Sequence, residues 1–96
     1  MFIVSLTYIV DLEEVDKLLP KHVTYLKAQY EKNNFIASGR KVPRTGGIIF
    51  SKIDNLEELQ KVLNQDPFKI HNLAKYDIQE FIPSMTSDDF IKLKEA

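Results

Sequence analysis

The sequence predicts an α+β domain whose elements run β-α-β-β-α-β, with one more helix at the C-terminal end. Three observations carry that reading. The chain opens on an alternating strand-like run from Phe2 to Val10. Two stretches of helical period follow cap residues at Asp11 and Asn55. Short apolar runs at Phe35–Ser38, Ile48–Ile53 and Ala74–Ile82 are set off by Asn, Gly and Pro.

Phe2, Val4, Leu6, Tyr8 and Val10 share one face of the first run, and Ile3, Ser5, Thr7 and Ile9 the other. Apolar residues on both faces predict a strand covered on both sides. Asp11 then opens a helix with Glu14 three residues on, the spacing of a capping box. Leu12, Val15, Leu18 and Leu19 form its apolar stripe. Pro20 predicts a break or kink near Leu19, because proline removes a helical N–H and is best tolerated in a first turn. A second helical piece carries Val23, Leu26 and Tyr30 on one face and ends at Asn33-Asn34.

Residues 35–38 read as a strand. Residues 39–47 read as a basic loop holding Arg40, Lys41 and Arg44, with Pro43 and the Gly46-Gly47 pair. The third strand is 48–53. Asn55 caps the next helix with Glu58 completing the box, and Leu56, Leu59, Val62 and Leu63 face inward. After Asp66-Pro67-Phe68 comes a fourth strand with Tyr76, Ile78 and Ile82 on one side, stopped by Pro83. A short helix begins near Thr86-Ser87-Asp88-Asp89. This order is ferredoxin-like: an antiparallel sheet with both main helices on one face. The other face is left bare, and Ile3, Ile9, Ile36, Ile49 and Ile53 are the residues expected on it. Such a face predicts a homodimer packed sheet against sheet.

Ninety-six residues suit a single domain spanning 1–96 with a small core that an oligomer would extend. A hydrophobic fraction of 44% and a charged fraction of 28% are the balance of a folded chain, not a disordered one. The net charge of −1, without a basic stripe, argues against a nucleic-acid partner. No run approaches the roughly 18–20 apolar residues of a membrane span, and the apolar start lacks the basic region of a signal peptide. With no cysteine there is no disulfide framework and no thiol nucleophile, which fits a cytoplasmic protein.

Two residues stand out chemically. His22 can take or give a proton near neutral pH. Asp66, held beside Pro67, can orient an imidazole, or it can simply cap a short turn of helix through Phe68-Lys69-Ile70. Ser38 can offer a hydroxyl to a substrate oxygen, though it lacks the context of a nucleophile elbow. Arg40, Lys41 and Arg44 can bind an anionic ligand or stay solvated, and Gly46 and Gly47 can let a ligand approach the backbone closely. His71 has the chemistry of His22, but the two histidines lack the spacing of a metal site.

Taken in order, Pro20-x-His22, Ala37-Ser38-Gly39, Arg44-Thr45-Gly46-Gly47-Ile48-Ile49, Asp66-Pro67-Phe68 and Tyr76-x-Ile78-x-Glu80-Phe81 resemble the YCII-related (YciI-like) proteins over residues 2–83. The resemblance implies a dimeric α+β barrel with an active site at His22 and Asp66, next to the strand-end segment Ser38-Gly39. It also implies kinship with muconolactone-isomerase-like and dehydrochlorinase-like enzymes that act on small cyclic carboxylates. The chain departs from the pattern at Arg40, where relatives often carry proline. The expected activity is cofactor-free, metal-free proton abstraction leading to isomerisation or elimination on a small carboxylate or lactone. In that scheme Ser38, Gly39, Arg40 and Arg44 bind the small anionic ligand. The rival expectations are a non-enzymatic ligand-binding module and a dimerisation unit.

Overall fold

A computed structural model describes residues 1–95. The elements are β1 (Phe2–Tyr8), α1 (Leu12–Glu31), β2 (Phe35–Arg40), β3 (Gly46–Ser51), α2 (Leu56–Leu63), α3 (Pro67–Ile70) and β4 (Ala74–Glu80), followed by a 3-10 segment at Asp88–Glu95. The strands form one antiparallel sheet in the order β2-β3-β1-β4. This is the expected ferredoxin-like order. No helix among the described residues is long and apolar enough to cross a membrane.

Alternation in β1 sets the two faces. Phe2, Val4 and Leu6 are buried, and they meet Leu59 and Leu63 of α2, Val15 and Tyr25 of α1, and Phe68 of α3 in one core. Fully burying a side chain such as Phe2, Phe68 or Leu59 stabilises the fold by roughly 1.5–3 kcal/mol. The predicted bare face is partly corrected. Ile49 lies opposite Val4, so it is buried on the helix side. Ile53 packs against the same core. Ile3 does lie on the outer face, together with Ile48 and Phe50, its neighbours across β3. Ile9 lies just past the end of β1, and Ile36 sits in a bulge of β2.

Helix α1 runs through Pro20 without the predicted break. The hydrogen bond that proline removes belongs to the Asp16 carbonyl, and both residues lie on the exposed side. Val15, His22, Tyr25 and Gln29 on the buried side hold both halves of the helix against one surface. Asp11 is the N-cap residue, yet its side chain makes no cap hydrogen bond. The C-terminal end closes as a Schellman turn: Asn34 N–H reaches the Gln29 carbonyl, Asn33 N–H the Tyr30 carbonyl, and Asn33 takes a positive φ of 62°.

The inner stripe of α1 is also not the predicted one. His22, Tyr25 and Gln29 point inward, whereas Val23 and Tyr30 are more than a third exposed. The polar atoms of the inner stripe are satisfied. Tyr25 Oη donates to the Val62 carbonyl (2.8 Å), and Asn34 Nδ2 donates to Gln29 Oε1 (2.8 Å). In α2 the Asn55 cap forms as expected, accepting from Glu58 N–H at 2.9 Å, while Leu56 is exposed. Ile82, expected beside Tyr76 and Ile78, is 86% exposed beyond the end of β4.

Gly46 and Gly47 belong to β3, not to a loop. A Cβ on Gly46 would stand 1.7 Å from the Leu6 carbonyl oxygen, so only glycine lets β3 lie this close to β1. Strand β2 likewise extends through Gly39 and Arg40. Its register slips between Phe35 and Ala37: Phe35 pairs with Ser51, then Ala37 with Phe50 and Ser38 with Ile49. This bulge reverses the alternation. Ser38 and Arg40 therefore join the inner face, opposite Ile49 and Gly47, and without the slip they would point away from the helices. The chain after Pro83 forms a 3-10 segment with a non-helical kink at Phe90, not the predicted helix.

Candidate active site

Asp66 is placed by its own local chemistry. Helix α2 stops at Leu63, and Asp66 N–H bonds back to the Leu63 carbonyl. Asp66 then caps α3, with Pro67 in the first turn where a missing N–H costs nothing. Its Oδ1 accepts from Phe68 N–H at 3.0 Å. The same oxygen lies 2.7 Å from His22 Nδ1, and Oδ2 accepts from Tyr76 Oη at 2.6 Å. Capping and pairing with His22 are therefore not alternatives, since a carboxylate has acceptor sites for both. The carboxylate has no exposed surface. Three donors from α1, α3 and β4 replace the water it has lost.

His22 lies on the inner face of α1, its ring stacked on Phe68 (centroids 3.9 Å apart, planes 4° from parallel) and, more distantly, on Tyr25. A carboxylate at Nδ1 favours the tautomer with the proton on that nitrogen. The lone pair is then on Nε2, which has no hydrogen-bond partner among the described residues, and the ring lines a cavity of about 470 Å³. Burial, and next the charge of Asp66, push the ionisation of Tyr25 and Tyr76 far above the ordinary phenol range. Both hydroxyls are therefore donors at neutral pH.

The cavity walls are aliphatic, from Leu6, Leu19, Val23, Leu26 and Ile49. Of the predicted stripe of α1, Leu19, Val23 and Leu26 thus line the cavity, while Val15 enters the core. Tyr8 lines the same cavity, its ring edge-on to Phe68. Ser38 reaches the cavity from β2, its hydroxyl sharing a 2.5 Å hydrogen bond with Tyr30 Oη. Gly39 and Arg40 follow on the same strand. A Cβ on Gly39 would touch nothing, so this glycine is not required by space. Arg40 has no side-chain partner among the described residues, whereas Arg44 donates to Asp16 of α1 at 2.5 Å, and that hydrogen bond raises the Arg44 pKa.

The structure thus brings His22, Ser38, Gly39, Arg40 and Arg44 to one cavity, with Asp66 directly behind its floor. His71 does not join them; it is exposed at the C-terminal end of α3. No group of three or more His, Cys, Asp or Glu side chains converges among the described residues. A larger hollow of about 570 Å³, lined by Asn33, Lys52, Glu58 and Lys92, is more open and contains none of the candidate residues.

Sequence reasoning missed Tyr76 as the second side-chain donor to Asp66, Phe68 as the stacking surface for His22, and Asp16 as the partner of Arg44. Tyr76 had a legible signal, because the alternation of β4 places it beside Ile78 on the inner face. The β2 bulge had none.

The family model of the YCII-related domain matches residues 1–82. No curated protein matches the sequence. Among solved structures, the chain is similar to 5-chloro-2-hydroxyhydroquinone dehydrochlorinase (TftG) from Burkholderia phenoliruptrix AC1100, in complex with 2,5-dihydroxybenzoquinone. The TM-score is 0.70 at 15% sequence identity, with 84% of this chain and 93% of that chain covered. At that identity the likeness is one of fold.

Proposed function

The chain belongs to the family of YCII-related domains, and from that premise we propose that it is a small cofactor-free enzyme using His22 as its proton-transfer group. The observation that carries the reading is the arrangement of His22: Nδ1 is held by the buried Asp66, and the ring lines a cavity with Arg40 at its rim. Nε2 takes a proton from a bound substrate or returns one to it. Asp66 fixes the ring and stabilises the imidazolium that forms. Arg40, and Arg44 when released from Asp16, attract a substrate anion, and Ser38 offers a hydrogen bond to a substrate oxygen. The reaction is an isomerisation or an elimination on a small carboxylate or lactone. The dehydrochlorinase of the same fold gives such an elimination a precedent, with no transfer of its particular substrate.

The working unit in this proposal is a homodimer packed through the outer sheet face, the face that carries Ile3, Ile48 and Phe50. We place it in the cytoplasm, which suits a chain without cysteine.

The test is a binding screen of small carboxylates and lactones against the wild type and His22→Ala, with light scattering at micromolar concentration run in parallel. The expected result is a ligand that the wild type binds and turns over and that His22→Ala does not turn over. A ligand bound and converted equally by both proteins sinks the catalytic role of His22. A monomeric mass sinks the dimer.

A further inference from the structure

We infer that Tyr76 is a positioning residue of the site: its hydroxyl holds Asp66 Oδ2 so that Oδ1 stays turned to His22 Nδ1. The inference rests on the functional reading of His22 given above and extends it to a strand, β4, that contributes nothing to the cavity around His22.

Tyr76 lies opposite Leu6 of β1, hence on the inner face of the sheet, and its Oη donates to Asp66 Oδ2 at 2.6 Å. The other two donors to Asp66, His22 Nδ1 and Phe68 N–H, both meet Oδ1. Without Tyr76, Oδ2 would be an anionic oxygen with no protein donor inside a carboxylate that has no exposed surface. A buried charged acceptor left unpaired is costly, and the carboxylate can relieve the cost by turning or by taking up a proton. Either response loosens its hold on Nδ1 and releases the tautomer that leaves the Nε2 lone pair facing the cavity. With Tyr76 in place, donors from α1, α3 and β4 fix the carboxylate plane from three directions. The burial that keeps the Tyr76 phenol protonated also keeps it a donor and never a competing anion.

Tyr25 provides the contrast. It is buried beside the same imidazole, but its hydroxyl donates to the Val62 carbonyl and not to Asp66. Losing that hydroxyl removes a buried hydrogen bond without touching the carboxylate.

The experiment measures the ¹⁵N shifts of the His22 ring nitrogens, in the neutral form of the ring, in wild type, Tyr76→Phe and Tyr25→Phe. The expected wild-type signature is the Nδ1–H tautomer. In Tyr76→Phe the share of the Nε2–H form should rise about tenfold, the scale set by losing one hydrogen bond to a charged group. Tyr25→Phe should keep the wild-type ratio even where its stability falls. An unchanged ratio in Tyr76→Phe, or the same change in both variants, overturns the inference. Should Tyr76→Phe fail to fold, wild type labelled at tyrosine Cζ decides the matter in mixed H₂O and D₂O. Separate O–H and O–D signals for Tyr76 support a hydroxyl locked onto its acceptor, and a single averaged signal overturns it. The readout needs no substrate. If the tautomer shifts but His22→Ala converts every ligand normally, the positioning role stands and the enzymatic reading falls.

Discussion

The floor and the rim of the cavity hold their charges in opposite ways. At the floor, Asp66 is wholly buried, and the three hydrogen bonds to its carboxylate come from three different elements, α1, α3 and β4. At the rim, Arg40 is exposed and has no side-chain partner among the described residues, while Arg44 and its partner Asp16 keep 30% and 54% of their side-chain surface in solvent. A buried charge cannot lose a partner cheaply, because no water replaces it. A solvated charge can, because water does. Substitutions at the floor should therefore register in folding, and substitutions at the rim only in ligand binding.

The severest way to break this contrast is Asp66→Ala. It leaves His22 Nδ1, Phe68 N–H and Tyr76 Oη without their acceptor in a closed space, and it removes the cap of α3. We expect a loss of roughly 3–5 kcal/mol in urea denaturation, since each buried donor left without an acceptor costs about 1–3 kcal/mol. Asp66→Asn keeps an acceptor for His22 and for the cap and should lose about 1–3 kcal/mol. Equal and small losses in both variants would show that the floor is as well solvated as the rim.

A smaller effect is read in alkali. The folded-state values of Tyr25 and Tyr76 are raised by burial and by the charge of Asp66. Both phenols therefore favour the fold fully below the unfolded value near pH 10, and that contribution declines as the pH climbs above it. Above pH 10 the unfolded chain releases two phenolic protons that the folded chain retains. Stability should then fall by about 1.4 kcal/mol per pH unit for each tyrosine. Tyr25→Phe or Tyr76→Phe should halve the slope whatever it does to the stability at pH 7. An unchanged slope in either variant would mean that its phenol ionises as freely in the fold as out of it.

The same contrast separates what the sequence could and could not reveal. The order of elements was legible because it rests on local signals: alternation in β1, the Asn55–Glu58 cap, and Asn and Gly at the ends of elements. The His22–Asp66 pair emerged from residue chemistry together with the family pattern, since the two positions stand 44 apart in the chain. Features fixed by tertiary packing stayed hidden. Pro20 is locally a break, but the buried row Val15, His22 and Tyr25 outweighs one missing hydrogen bond. Gly46 and Gly47 look like a loop until β1 is seen to press against Gly46 and β2 against Gly47. The slip at Ile36 has no signature of its own, yet it decides that Ser38 and Arg40 face the cavity.

The rim supplies the gentlest test. Arg40→Ala should leave the urea midpoint unchanged, since the guanidinium gives up only water, while weakening a carboxylate ligand about tenfold through the loss of one charge-assisted contact. Asp16→Asn acts in the opposite direction. It frees the Arg44 guanidinium from its neighbour on α1 and should tighten the same ligand, again without a change in stability. The two variants together distinguish an anion site from a merely solvated basic loop. In an anion site they move affinity oppositely, and added salt shrinks both changes by screening exposed charge. In a solvated loop neither variant moves affinity, and the specificity of the cavity would then rest on the aliphatic walls and on His22 alone.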